Sequence, residues 1–182
     1  MKSAQDNCGV FGLYSSTPCV LDIYQGIDFL QHRGQKYCGV SVFDGKVRQV
    51  THHGQVRASF TDREVRYLRG NWGIGHVSLK ERQPVKWQSD FGEIAVAFSG
   101  NVLNADELIG EMMSRGKAFF KSYDVEIFSK IILEAKNPLA GLTHLPARIK
   151  RDLLLASVDW RGSLCGPGHL WIAPACLGAW SG

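Results

Sequence analysis

No run in the chain approaches the roughly 18 or more uncharged apolar residues that a membrane-spanning helix needs. The opening MKSAQDN also lacks the apolar stretch of a secretory signal, so a cytoplasmic chain with no membrane partner is expected. Charge of one sign is scarce too. Lys and Arg number 21 against 17 Asp and Glu, and the net +4 is scattered without a basic run, which gives no footing for nucleic acid as a partner. No C-x-x-C pair occurs among the five cysteines, Cys8, Cys19, Cys38, Cys165 and Cys176. Their odd number and irregular spacing lack the signature of structural zinc or dithiol exchange and point to free thiols. Nothing completes a metal set around His52 and His53, which read as strand-end surface residues. Low complexity is absent as well: 45% hydrophobic and 21% charged residues over 182 positions describe one domain with a buried core.

What is present, over the first 150 residues, is an alternation of short apolar runs with Gly-rich breaks. CGVFGLYSS, YCGVSVF, VRQVTHH, WGIGHVSL and EIAVAFSG are strand-length and rich in Val, Ile and aromatics. Helical spacing runs through 20–32, with Leu21, Tyr24, Ile27, Phe29 and Leu30 near one face. In 104–115, Asn104 is a candidate N-cap with Glu107 three residues on, and Gly116 stands where a helix ends. The segment 123–136 repeats the design, with Val125, Ile127, Phe128, Ile131 and Ile132 inside and a break at Asn137-Pro138. Strands and helices in this order predict a layered domain of mixed class. Cys19 and Cys38 read as small apolar residues, and His76 as a satisfied core histidine.

The pattern changes after Lys150. Residues 151–182 carry few charges, three of the five Trp and two of the five Cys, and neither period persists through CGPGHLWIAPACLGAWSG.

Cys8 follows a polar heptapeptide and precedes Gly9-Val10-Phe11-Gly12. If 1–7 is a propeptide and is removed, the α-amine of Cys8, with a free pKa of roughly 7.7 to 8.0, becomes a general base for its own thiol. Supporting blocks follow in order: LQHRGQ at 30–35, GIGHV at 73–77 and GNVLNADEL at 100–108. Together with CGVFGLYS at 8–15, they resemble the glutamine amidotransferase domain with an N-terminal cysteine nucleophile found in the glutamine phosphoribosylpyrophosphate amidotransferase family. The LQHRGQ block separates this likeness from the related glucosamine-phosphate synthases, and the likeness covers about 8–150.

The resemblance implies an α+β fold, the four-layer αββα sandwich of N-terminal nucleophile hydrolases, incomplete at its C-terminal end. It implies a glutaminase of purine biosynthesis in which the Cys8 thiolate attacks the side-chain amide of glutamine, ammonia leaves and water frees glutamate from a thioester. Arg33 would hold the substrate carboxylate with Gly34 allowing close approach. Asp124 would receive the substrate ammonium, a role that competes with capping its own helix. Gly100 and Asn101 fall on the family's oxyanion turn, for which the alternative is an ordinary tight turn. No cofactor is expected in this chain, since Mg²⁺ would belong to a phosphoribosyltransferase domain or subunit, the expected partner besides glutamine.

Three departures accompany the likeness. Ser78 stands where the family has an Arg that also binds the carboxylate, with a shorter loop after it; Arg82 is the candidate replacement, set against an ordinary surface arginine. Phe98 and Ser99 replace His and Asn before Gly100, and loss of one oxyanion donor typically costs about 2.7 to 4 kcal/mol of transition-state stabilisation. Finally, the family continues with G-T-Y-S-L and A-R-D-x-x-G-x-R-P-L, whereas this chain does not. Read one nucleotide later, any coding sequence gives Gly at the Trp160-Arg161 and Trp171-Ile172 junctions, and 165–176 permits A-A-R-D-I-Y-G-L-R-P-L. Residues 151–182 are therefore expected to be an aberrant tail arising from a frame change, the alternative being a divergent apolar hairpin. The competing functions are a non-catalytic regulatory or partner-binding domain of the same fold, and an amidohydrolase for another amide. Intact mass and N-terminal sequencing of the protein from its own cells are expected to place the mature terminus at Cys8; a chain still starting at Met1 or Lys2 would contradict the self-activated nucleophile.

Overall fold

Strand β6, Gly92–Val102, has both faces buried, and the period-2 alternation of its side chains sets the layers on either side. The computed structural model describes residues 8–90, 92–121, 124–160 and 168–172, with backbone alone for 139, 151–160 and 168–172. Ile94, Val96 and Phe98 point from β6 into a core shared with helices α4 (Ala105–Ser114), α5 (Asp124–Leu133) and α6 (Pro138–Arg148). Ala95 and Ala97 point the other way, against Val10, Phe43, Val47, Trp72 and Ile74 of a second sheet.

That second sheet has the order β1-β4-β2-β3, and the sheet of β6 has the order β5-β6-β7-β8. Every strand pairing is antiparallel. The first sheet consists of β1 (Cys8–Tyr14), β2 (Tyr37–Phe43), β3 (Val47–His53) and β4 (Trp72–Ser78). Helix α1, Val20–Phe29, covers its outer face with Ile23 and Ile27, packing onto Cys19, Cys38, Val40, Val42 and Val77. The helix comes close because Gly75 of β4 has no side chain: a Cβ there would collide with Ile27. Short helices α2 (Val56–Ser59) and α3 (Asp62–Tyr67) join β3 to β4, α3 beginning at a Thr61–Glu64 capping box. The layers therefore run α1, sheet, sheet, α4–α6, the αββα order that the resemblance implies.

Three elements differ from their expected form. Val85–Ser89 forms β5, an unforeseen strand pairing with β6. Asn137-Pro138, read as a break, also starts α6: Asn137 accepts from the Ala140 N–H at 2.8 Å and proline fills the first turn, where its missing N–H costs nothing. Asn104 occupies the N-cap position of α4 without capping it. Its carboxamide instead donates to Arg148 O at 2.9 Å and accepts from Lys150 N at 2.8 Å, clasping the end of α6.

Gly116 ends α4 as expected, with φ +82°. Beyond Lys150, β7 (Arg151–Trp160) pairs along β6 and β8 (Gly168–Ile172) along β7. β8 lies in a segment whose sequence shows no strand period. The expected propeptide, 1–7, falls outside the described residues, as do 161–167 and 173–182. Among the described residues no helix is long and apolar enough to cross a membrane.

Neighbouring methionines of α4 test the layer assignment, since Met112 is 0% and Met113 59% exposed. Met112→Ala is expected to cost about 2–5 kcal/mol in urea unfolding, and Met113→Ala to stay within about 0.5 kcal/mol.

Candidate active site

Antiparallel register sets Cys8 of β1 opposite Ser78 of β4, and Ser78 opposite Tyr37 of β2, in one row at one end of the first sheet. The second sheet reaches the row through the end of β6. The Cys8 thiol donates to Ser99 Oγ at 3.1 Å, and the Ser99 hydroxyl donates to the Cys8 carbonyl at 3.2 Å. Ser99 thus engages both the sulfur and the backbone of the candidate nucleophile. Beyond it the ladder with β7 shifts register between Gly100 and Val102, and Gly100 takes φ +150°, which glycine tolerates without strain. Asn101 lies at the same bend, its Oδ1 accepting from Lys80 Nζ at 3.2 Å.

The LQHRGQ block lies against this end. Leu30–Arg33 is a single 3-10 turn. Gln31 braces it, accepting from Val56 N at 2.6 Å and donating to Gly34 O. Gly34 is extended, at φ −169°, so the glycine is needed for room: a Cβ would sit on the backbone nitrogen of Ser78. Arg33, half-buried, has no hydrogen-bond or ion-pair partner among the described residues, leaving its guanidinium available.

Asp124 begins α5, and its Oδ2 accepts from Val102 N at 3.2 Å. The carboxylate thus ties the helix to the end of β6. Arg82 is exposed, its guanidinium carbon 6.0 Å from the centre of the Tyr37 ring. It lies on the Tyr37 side of the row, so the structure brings Cys8, Ser99, Gly100 and Gly34 together and leaves Arg82 at the margin.

The short loop 79–83 closes the site on one side. Ser78 accepts from Lys80 N at 2.8 Å and Glu81 N at 3.2 Å, turning the chain. Gln83 bridges inward, accepting from Phe98 N at 2.7 Å and donating to Glu81 Oε1 at 2.7 Å. Burial pushes the Glu81 carboxyl up to about 7, with nearby Asp124 adding to the rise. Sequence reasoning missed Glu81 and Gln83, because neither a motif nor a period marks an acid folded inward from a loop.

His76 is fully buried, and burial pulls its imidazole down to about 3, only partly offset by the Phe98 backbone. It is a neutral core residue against the Phe98 backbone. His52 is half-buried beside Glu64 Oε1 at 3.1 Å, while His53 is exposed against Tyr37. Burial raises the Cys38 thiol to about 11, which leaves it unreactive. Among the described residues no group of three His, Cys, Asp or Glu side chains could hold a metal.

This arrangement was compared with known proteins. No family model matches the chain. Amidophosphoribosyltransferase of Pyrococcus horikoshii is 37% identical over 155 residues, 82% of this chain and 34% of that protein. The enzyme of Methanocaldococcus jannaschii is 35% identical over 137 residues, 69% of this chain and 29% of that protein. The structure of glutamine phosphoribosylpyrophosphate amidotransferase from Bacillus subtilis, complexed with ADP and GMP, superposes with a TM-score of 0.77 at 26% identity, covering 83% of this chain and 35% of that one. The chain spans about a third of the length of the curated relatives it matches.

The room at Gly34 gives a direct test of this corner. Gly34→Ala is expected to destabilise by about 1–3 kcal/mol in thermal or urea unfolding, because the new methyl pushes on backbone; an unchanged midpoint would contradict the close approach.

Proposed function

The chain belongs to the amidophosphoribosyltransferase family, as a homologue of its N-terminal glutamine amidotransferase part, and from that premise we propose that it hydrolyses glutamine through Cys8. The observation that carries this reading is the 3.1 Å contact between the Cys8 thiol and Ser99, which joins the start of β1 to the bend of β6. Hydrolysis of the Asn7–Cys8 peptide bond exposes the α-amine. The amine takes the thiol proton, and the sulfur attacks the side-chain amide carbon of glutamine. The protonated amine returns its proton to the leaving nitrogen, so ammonia departs and a thioester remains. Water, deprotonated by the same amine, then releases glutamate and restores the thiol.

Arg33, half-buried and unpaired, supplies two parallel donors for the substrate carboxylate. Asp124 receives the ammonium, in addition to holding Val102. Gly100 offers its backbone N–H to the oxyanion at the bend. The Ser99 hydroxyl is committed to the Cys8 carbonyl and must rotate away to donate there. The oxyanion is thus weakly held and turnover slow. The ammonia acceptor would lie in a phosphoribosyltransferase domain or subunit. The identity of 151–182 as a frame-changed segment is part of this reading, and nucleotide reads across codon 150 test it.

The experiment is glutamate release from glutamine by protein whose N-terminus is verified as Cys8. Turnover is expected with the native sequence and is lost in Cys8→Ala. Ser99→Asn is expected to raise kcat by about 10²-fold, the typical worth of one amide donor. Native turnover that persists in Cys8→Ala would overturn the assignment.

A further inference from the structure

Tyr37 opens β2 at the end of the row that begins with Cys8 and Ser78, and three basic groups gather on its ring. Lys36 Nζ lies 5.5 Å from the ring centre and the Arg82 guanidinium carbon 6.0 Å. The His53 imidazole, opposite Tyr37 in the β2–β3 ladder, stands nearly perpendicular to the ring with 5.2 Å between centres. The three arrive from separate segments: Lys36 from the link that precedes β2, His53 from the end of β3 and Arg82 from the loop 79–83. Backbone bonds fix this convergence, since Lys36 N donates to Ser78 O at 3.0 Å and Gly54 N donates to Lys36 O at 2.8 Å. All three side chains are exposed. None of them enters an ion pair or side-chain hydrogen bond among the described residues, whereas Arg48, Lys86 and Arg148 each hold a carboxylate. Glu81, the acid beside Arg82 in the chain, is turned inward onto Gln83.

One cation over a tyrosine face is an ordinary contact. A second beside the same ring adds like-charge repulsion, which the ring quadrupole offsets only in part. The loop spends its one carboxylate inside, and the basic groups face solvent, where an anion can reach them.

We propose that Lys36, His53 and Arg82 form a binding site for a phosphate group, free in solution or carried by a small molecule, with Tyr37 as the platform that sets their spacing. A carboxylate is matched by two parallel donors of a single arginine, whereas donors arriving from three directions suit the tetrahedral, doubly charged phosphate. Neighbouring strands are spaced by roughly 4.8 Å, so Tyr37, two strands from Cys8, places this site about 10 Å from the candidate nucleophile. The phosphate is held beside the glutamine site and not in it. The inference therefore stands independently of glutamine turnover.

The test is calorimetric titration of the full chain with inorganic phosphate, and separately with glycerol 3-phosphate, at constant ionic strength. A dissociation constant on the order of 1 mM is expected. Arg82→Ala and Lys36→Ala should each weaken binding about tenfold, while Lys117→Ala, which removes an exposed cation beyond α4, should leave it within about twofold. An equal loss in Lys117→Ala, or acetate binding as tightly as phosphate, means attraction to net charge alone and overturns the inference. Tyr37→Phe should retain binding and Tyr37→Leu should weaken it, each variant being checked for native circular dichroism. Phosphate affinity unchanged in Arg82→Ala, with a lowered melting temperature, means that the guanidinium only packs on the ring and also overturns it. Binding of both compounds assigns the site to the phosphate group itself; inorganic phosphate alone assigns it to the free ion, and the ester alone to a phosphorylated metabolite. Binding of neither overturns the proposal and leaves the glutaminase reading standing.

Discussion

The burial of β6 on both faces is the constraint from which the rest of the molecule follows. One face must be large, to fill the space under α4, α5 and α6, and carries Ile94, Val96 and Phe98. The other must be small, to let a second sheet approach, and carries Ala95 and Ala97. The same strand then runs on through Ser99, Gly100 and Val102, and so delivers three hydrogen-bonding groups to one end of the sandwich. Cys8 meets the first of them, Gly100 makes the bend, and Asp124 ties down the third. The site is the continuation of the core strand past the point where packing requires apolar side chains.

Much of this was legible before any coordinates. EIAVAFSG reads as a strand from its length and its apolar residues, and the helical spacing of 20–32, 104–115 and 123–136 marks three helices whose ends moved by only a few residues. The motif set located the residues that the register then gathered. What escaped has physical causes. β5 is only half-buried, so VKWQS shows no apolar run. Asn137-Pro138 can both end and begin a helix, and only the chain that follows decides. Asn104 carries an N-cap sequence, yet two stronger partners at the end of α6 claim its side chain.

The loop 79–83 shows why residue-by-residue transfer from a family has limits. The resemblance predicts an arginine where Ser78 stands, and a reader of sequence alone looks for a replacement nearby, at Arg82. The structure turns the chain at Ser78 and leaves Arg82 outside over Tyr37, so its guanidinium stays solvated. The inward-facing residues are Glu81 and Gln83. A shorter loop has less reach, and the side chains that point inward are Glu81 at its centre and Gln83 at its end.

The two sheets are fastened near their ends and nearly unadorned between. Gln83 joins Phe98, and Cys8 joins Ser99, at the site; at the far end Glu93 accepts from Val47 N at 2.8 Å and Lys86 donates to Val47 O at 3.3 Å. Between these fastenings lie Ala95 and Ala97, whose methyl groups act as spacers of fixed thickness. The sulfur of Cys8 belongs to one sheet and the bend at Gly100 to the other, so the distance between them is a tolerance of assembly, set by the two alanines in the seam. For the reaction proposed above, alignment is a matter of shim thickness: a single extra methylene in the seam would move Cys8 and the bend apart without changing any residue of the candidate site.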